Sequence, residues 1–250
     1  MKANSDLRSV CSIPLLLSLC GSTLSLSTSD LQPLFDVRFS ETKKPLRLRG
    51  GLDQLNDGFR QGPPSPLAIK RVHSELAALK DDPPDFFRAR PMDDDLLDWH
   101  FVLLGAPDTP FERGLYHGRI QLDRDYPMKP PRVIFLTQSG RFELGIPLCL
   151  SITSHHAECW QPTWDIRTAL TAIRSFMETP AMGAIGGLES SDEDRLLLAE
   201  SSRKLPRSIP FLAECSDPKT ALDMHINLHR ELAELHDIQI QEKKPTKTIE

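Results

Sequence analysis

The hydrophobic positions divide the chain into a polar front and a patterned remainder. From Pro66 onward, Leu67, Ile69, Val72, Leu76 and Leu79 recur at helical spacing, and the run stops at Asp81-Asp82-Pro83-Pro84. This predicts an amphipathic helix ended by prolines that a helix interior does not accommodate. Three β-type runs follow, Trp99 to Leu104, Leu115 to Leu122 and Arg132 to Leu136, with turn residues at Gly105-Ala106-Pro107-Asp108 and Asp125-Tyr126-Pro127. Short strands joined by short turns read as an antiparallel meander. Asp165 can cap a helix carrying Ile166, Ala169, Leu170, Ile173, Phe176 and Met177 on one face, and Gly183 to Gly187 breaks it. Ser191-Asp192-Glu193-Asp194 is an acidic helix start leading to Leu196, Leu197 and Ala199. Thr220 to Ile238 forms a last amphipathic helix with Leu222, Ile226, His229 and Leu232 on one side. This order predicts an α+β domain with helices on one face or at the ends of a sheet.

Ahead of that pattern, residues 1–25 have the layout of a signal-like leader: Lys2 and Arg8, the apolar run Val10 to Leu19, then Gly21, Ser22 and Thr23. The run is shorter than the roughly 20 apolar residues of a membrane-spanning helix, and Pro14 sits inside it. A polar tail with an incidental apolar patch fits the same residues. Residues 26–65 are Ser-rich and then basic, a linker or transit-type segment with no core of its own. The expected plan is a folded core over 66–205 and a helical extension with a charged tail over 206–250.

Composition narrows this picture little. The 250 residues carry a net charge of -5, which argues against general nucleic-acid binding, a task for a basic surface. The five cysteines, Cys11, Cys20, Cys149, Cys159 and Cys215, are odd in number and irregular in spacing. That is unlike a disulfide framework and suits one functional thiol.

Candidate chemistry gathers around Cys149. Two of the chain's three tryptophans, Trp160 and Trp164, follow it closely, with His155, His156 and Cys159 between. A buried structural cysteine is one reading. A metal site is another, but Cys-x5-His-His-x2-Cys does not match the usual paired-ligand spacing, so no metal is expected here. A redox pair of Cys149 and Cys159 lacks Cys-x-x-Cys spacing. A protease-type nucleophile needs a His held by a third group, and the sequence assigns no such partner.

The run Tyr126-Pro127-Met128-Lys129-Pro130-Pro131-Arg132-Val133, then Gly140-Arg141-Phe142, Leu148-Cys149-Leu150-Ser151-Ile152 and Trp160-Gln161-Pro162-Thr163-Trp164 resembles ubiquitin-conjugating enzymes (E2s). Trp99-His100-Phe101, Tyr116-His117-Gly118-Arg119-Ile120 and Gly183-Ala184-Ile185-Gly186 fall in order at family spacing. The resemblance runs from about Pro66 to Lys204 and is greatest to the J-type branch of endoplasmic-reticulum-associated degradation. It implies an N-terminal helix, a four-stranded antiparallel sheet, an active-site cysteine loop and C-terminal helices.

The resemblance also implies thioester chemistry. Cys149 would take ubiquitin or a ubiquitin-like modifier from an activating enzyme (E1) and pass it to a protein substrate with a RING-type E3 ligase. No cofactor is implied for the chain itself, since ATP is used by the E1. A thiol both attacks and leaves well, which suits an acyl carrier. By position, Met128, Lys129, Trp160, Gln161, Pro162 and Thr163 would face ligases, and Lys70 and Arg71 in the first helix would add E1 contacts. Ser151, His155 and His156 would belong to the active-site loop, the histidines ordering it or gating substrate, and Trp160 and Trp164 would pack it.

Three departures from the family stand out. Most E2s place an asparagine about ten residues before the cysteine, either as an oxyanion donor or as a loop brace; here the string is Thr137-Gln138-Ser139-Gly140-Arg141-Phe142. Losing a true oxyanion donor would cost roughly 10²–10³ in rate, whereas losing a brace need change little. Ser151 stands where many E2s have aspartate, though J-type members share the serine. The J branch has a C-terminal membrane anchor, while Ile238 to Glu250 is polar. An N-terminal leader in place of that anchor suggests entry to the endoplasmic reticulum or to a plastid-surrounding compartment, with the cytoplasm as the alternative. A catalytically weak adaptor that binds ubiquitin or a ligase is the second functional reading. Leu46-Arg47-Leu48-Arg49-Gly50-Gly51 matches the last six residues of ubiquitin, but too few residues precede it to build that fold.

Overall fold

In the computed structural model, Phe59 and residues 62–240 are described, apart from positions 60–61, 207, 210–211, 213–214 and 216. The described residues lie within one compact unit. The leader expected over 1–25, most of the 26–65 linker and the Leu46–Gly51 motif lie outside the described residues.

The first helix, α1 (Pro66–Asp81), starts where the sequence indicates. Ser65 accepts a hydrogen bond from Ala68 N at 3.1 Å and Pro66 occupies the first turn, where its missing N–H costs nothing. Its inner face is Ala68, Val72 and Glu75, flanked by Leu76 and Leu79, while Leu67 and Ile69 point to solvent. The expected stripe is therefore displaced at its N-terminal end, and a carboxylate sits in the middle of the buried face.

Four strands follow, β1 (Phe87–Pro91), β2 (Asp98–Leu104), β3 (Leu115–Gln121) and β4 (Arg132–Phe135), in an antiparallel sheet of order β1-β2-β3-β4. The β2–β3 register pairs Phe101 with Gly118 and Trp99 with Ile120. A Cβ on Gly118 would sit 2.1 Å from the Phe101 ring, so glycine is required for that ring to lie across the strand. Along β2 the side chains alternate. Trp99, Phe101 and Leu103 enter the main core, with Ile120, Val133 and Phe135 from the neighbouring strands and Ala68 and Val72 of α1. The next helix, α2 (Ile166–Met177), adds Ile166, Ala169, Leu170, Ile173 and Met177 to that core.

The opposite face of the sheet is also covered. Val102, Leu104 and Leu115 pack against Leu228, Leu232 and Ala233 of the last helix, α4 (Pro218–Leu235), and against Ile238. The expectation of helices on one face or at the ends is corrected: α4 makes a second layer, which is why every residue of β2 is buried. The buried face of α4 is Ala221, His225, Leu228, His229, Leu232 and Ala233; Leu222 and Ile226 are only half-buried. Asp98, His100, His117 and Arg119 also turn toward this face. Arg119 pairs with Asp98 at 2.6–2.7 Å, and His100 and His117 lie 2.8 Å from His225 and His229. Burial pushes His100 and His229 down to about 4, and His117 and His225 well below the usual imidazole value. The intervening helix, α3 (Asp192–Ser202), is capped by Ser191 and packs through Ala199 and Ser202. Among the described residues, no helix is long and apolar enough to cross a membrane.

Candidate active site

Cys149 lies in the extended segment between β4 and α2. Leu148 N donates to Val133 O at 2.9 Å, and Cys149 N donates to Ile185 O at 3.2 Å. The cysteine is thus pinned between the last strand and the glycine-bounded 183–187 turn, and as a residue it is half-buried. Thr153 closes the loop behind it. This buried hydroxyl lies 2.6 Å from Leu148 O and accepts from Leu150 N at 3.0 Å.

His155 and His156 form one short 3-10 turn, Ser154–His156, yet do different things. His155 Nδ1 lies 3.1 Å from Leu148 O, so this nitrogen carries the proton and the ring orders the backbone beside the cysteine. His156 Nε2 lies 3.3 Å from Cys149 Sγ, and His156 Nδ1 lies 2.9 Å from Glu158 Oε1. A carboxylate only accepts, so Nδ1 carries the proton and Nε2 presents its lone pair to the thiol. The Glu158 carboxyl is held below its ordinary value, first by the His156 hydrogen bond. The sequence assigns no partner to the cysteine; the structure supplies one in His156, and Glu158 as the group that holds it.

Ser139 is fully buried. Its Oγ accepts from Arg141 N at 3.2 Å and Phe142 N at 3.3 Å, bridging its own turn, where Gly140 takes φ +72°. Arg141 extends the brace by donating from Nε to Thr179 O at 2.8 Å. Ser151 is half-buried in the turn after the cysteine.

The expected partner-facing residues divide into two groups. Met128 (62% exposed), Lys129, Lys70, Gln161 and Thr163 are on the surface, and Pro162 is half-buried. Lys129 is held by Asp123 at 3.2 Å and Asp125 at 2.9 Å. Trp160 is turned inward at 6% exposure. Its indole N–H donates to Pro127 O at 2.7 Å, and its ring meets Trp164 edge-on at 5.7 Å. It clamps the two loops together rather than presenting itself. Arg71 is half-buried and donates to Trp164 O at 2.8 Å.

Sequence reasoning missed Glu75. Buried on α1, it accepts from Tyr126 OH at 2.7 Å and from Ile166 N at 2.9 Å, and pairs with Arg71. Burial raises its pKa, against these hydrogen bonds and the Arg71 charge, and raises that of Tyr126 too. One carboxylate therefore joins α1, the proline loop and the N-terminus of α2. A Glu three residues after Val72, on the same side of the helix, was the available signal.

Residues 71–184 match the family model described as "Ubiquitin-conjugating enzyme". The chain carries an E2 domain. Over 136 residues it is 54% identical to "Ubiquitin-conjugating enzyme E2 J1" of Mus musculus and of Homo sapiens, covering 54% of this chain and 42% of each relative. Over 139 residues it is 45% identical to "Ubiquitin-conjugating enzyme E2 32" of Arabidopsis thaliana, covering 56% of this chain and 45% of that relative. The chain thus spans under half the length of these relatives. The E2 domain is close to the J branch, and its helix–sheet–helix frame holds Cys149 in the loop between β4 and α2.

Proposed function

We propose that the chain is an E2 that carries ubiquitin or a ubiquitin-like modifier as a thioester on Cys149. The observation that carries this reading is the Cys149–His156 contact within an E2 domain. The Cys149 sulfur attacks the carbonyl carbon of the modifier's thioester on the E1. A new C–S bond forms, the old one breaks, and the E1 thiol leaves protonated by the proton that Cys149 gives up. A substrate nucleophile then attacks the same carbon, its proton passing to His156 Nε2, and the Cys149 thiolate departs.

His156 is the proton acceptor because Glu158 fixes the tautomer with Nε2 bare. Ser139 braces the turn, since both hydrogen bonds it accepts come from that turn. Cys149 N is occupied by Ile185 O and is not a donor for the developing oxyanion. Met128, Lys129, Gln161 and Thr163 offer the ligase a surface stiffened by the Trp160–Pro127 bond. The likeness to the J1 relatives supports a place in degradation of the endoplasmic-reticulum-associated type, with a RING ligase as partner.

Incubation of the chain with E1, ATP and ubiquitin tests this. A reductant-sensitive adduct that disappears in Cys149→Ala is expected; no adduct with ubiquitin or any ubiquitin-like modifier sinks the proposal.

A further inference from the structure

Beneath α4, far from any role in the thioester chemistry, lies a layer of buried polar groups: Asp98, His100 and His117 on the strands, His225 and His229 on the helix, and Cys215 just before it. His229 Nε2 faces Arg203 O at 3.3 Å and carries its proton there, so its Nδ1 accepts from His117 Nε2. That leaves His117 Nδ1 a bare lone pair, buried with no hydrogen-bond partner, and His225 Nδ1 is buried without one as well. The two rings are 4.9 Å apart. Unsatisfied buried nitrogens are costly, so this layer holds more polarity than it satisfies internally.

His100 stands at its centre. Its Nδ1 meets His225 Nε2 at 2.8 Å, and its Nε2 lies 3.8 Å from Cys215 Sγ. The ligand atoms of Asp98, His100 and Cys215 all lie within 4.8 Å of one another. With metal–sulfur and metal–nitrogen bonds of about 2.3 and 2.0 Å, a tetrahedral zinc site has a sulfur–nitrogen edge of about 3.5 Å, close to what is seen. The neighbours are those of an outer shell. His225 holds the second nitrogen of the histidine, and Arg119 orients the carboxylate through both oxygens.

We propose that Asp98, His100 and Cys215 bind a zinc-class divalent cation, with water in the fourth position, and that the ion ties the segment entering α4 to the sheet. A thiolate and a carboxylate, the latter shared with Arg119, bring negative charge to the ion, and the sulfur selects a borderline metal over magnesium or calcium. These are different residues from Cys149, His155, His156 and Cys159.

The full chain, produced with zinc and stripped of loosely held metal by a weak chelator, is expected to retain about one zinc per chain, held by three buried protein ligands. Cys215→Ser should lose it with the circular dichroism spectrum unchanged, and His225→Gln should weaken it by roughly 10–100-fold. Cobalt in place of zinc should give a thiolate charge-transfer band that is absent in Cys215→Ser. Metal-free wild-type chain, metal retained in Cys215→Ser, or metal lost in Cys159→Ser instead would each overturn the proposal. Failure to form a ubiquitin adduct would leave this metal result unaffected, so the two proposals fail separately.

Discussion

Cys149 Sγ and His156 Nε2 lie 3.3 Å apart, seven residues apart in one loop, with Glu158 on the far side of the ring. The arrangement resembles a nucleophile, base and orienting acid, but in an open setting, because Glu158 is exposed. The base is thus aligned without being sealed from water, which suits a site where an outside nucleophile must arrive.

His156→Gln should leave charging of Cys149 largely intact and slow transfer to an acceptor by roughly 10², the usual scale for a general base. Glu158→Gln should slow it less, since the exposed carboxylate only holds the ring. Single-turnover discharge of the purified thioester measures both. Equal discharge rates in wild type and His156→Gln would remove the base role.

Ser139→Ala should strip two backbone N–H groups of their acceptor and cost about 1–3 kcal/mol of stability, with a modest change in discharge rate. A loss of roughly 10²–10³ in rate at unchanged stability would instead identify an oxyanion donor. Urea unfolding run beside the discharge assay separates the two.

Glu75→Ala should be among the most destabilising polar substitutions, by about 3–5 kcal/mol, because Arg71 loses its buried partner while Tyr126 and Ile166 N lose their acceptor. Tyr126→Phe removes one of these bonds and should cost about 1.5–3 kcal/mol. Thermal unfolding gives the ranking; a Tyr126→Phe variant less stable than Glu75→Ala would contradict it.

Trp160→Phe keeps most of the ring packing but loses the 2.7 Å bond to Pro127 O. A loss of about 1 kcal/mol is expected, with weaker ligase-stimulated discharge and unchanged unstimulated discharge. Gln161→Ala, on the surface, should affect only the stimulated rate. Equal behaviour of the two variants would show that Trp160 acts as a contact and not as a clamp.

Much of the fold was legible because the signals were local. Ser65, Asp165 and Ser191 accept from the backbone N–H groups that a cap should satisfy. The three runs at Trp99, Leu115 and Arg132 became β2, β3 and β4. Strand β1 gave no clear pattern: Phe87–Pro91 carries two arginines, and its ends alone are buried. The face of α4 was only partly legible: His229 and Leu232 are buried as expected, but Leu222 and Ile226 are half-buried, and His225, which reads as polar, is buried against a histidine on the sheet.

The sequence by itself determined which residues are chemically capable: one thiol among rare neighbours, a proline loop, a serine where asparagine is usual, and helices marked at their caps. These follow from side-chain type and short-range spacing. Only the tertiary structure decided the pairings. His156, not His155, faces the sulfur because one 3-10 turn aims adjacent rings in different directions. Glu75 became the junction of three elements, and α4 the lid over a polar layer, because carboxylate and imidazole groups taken from water must find partners wherever the fold brings them.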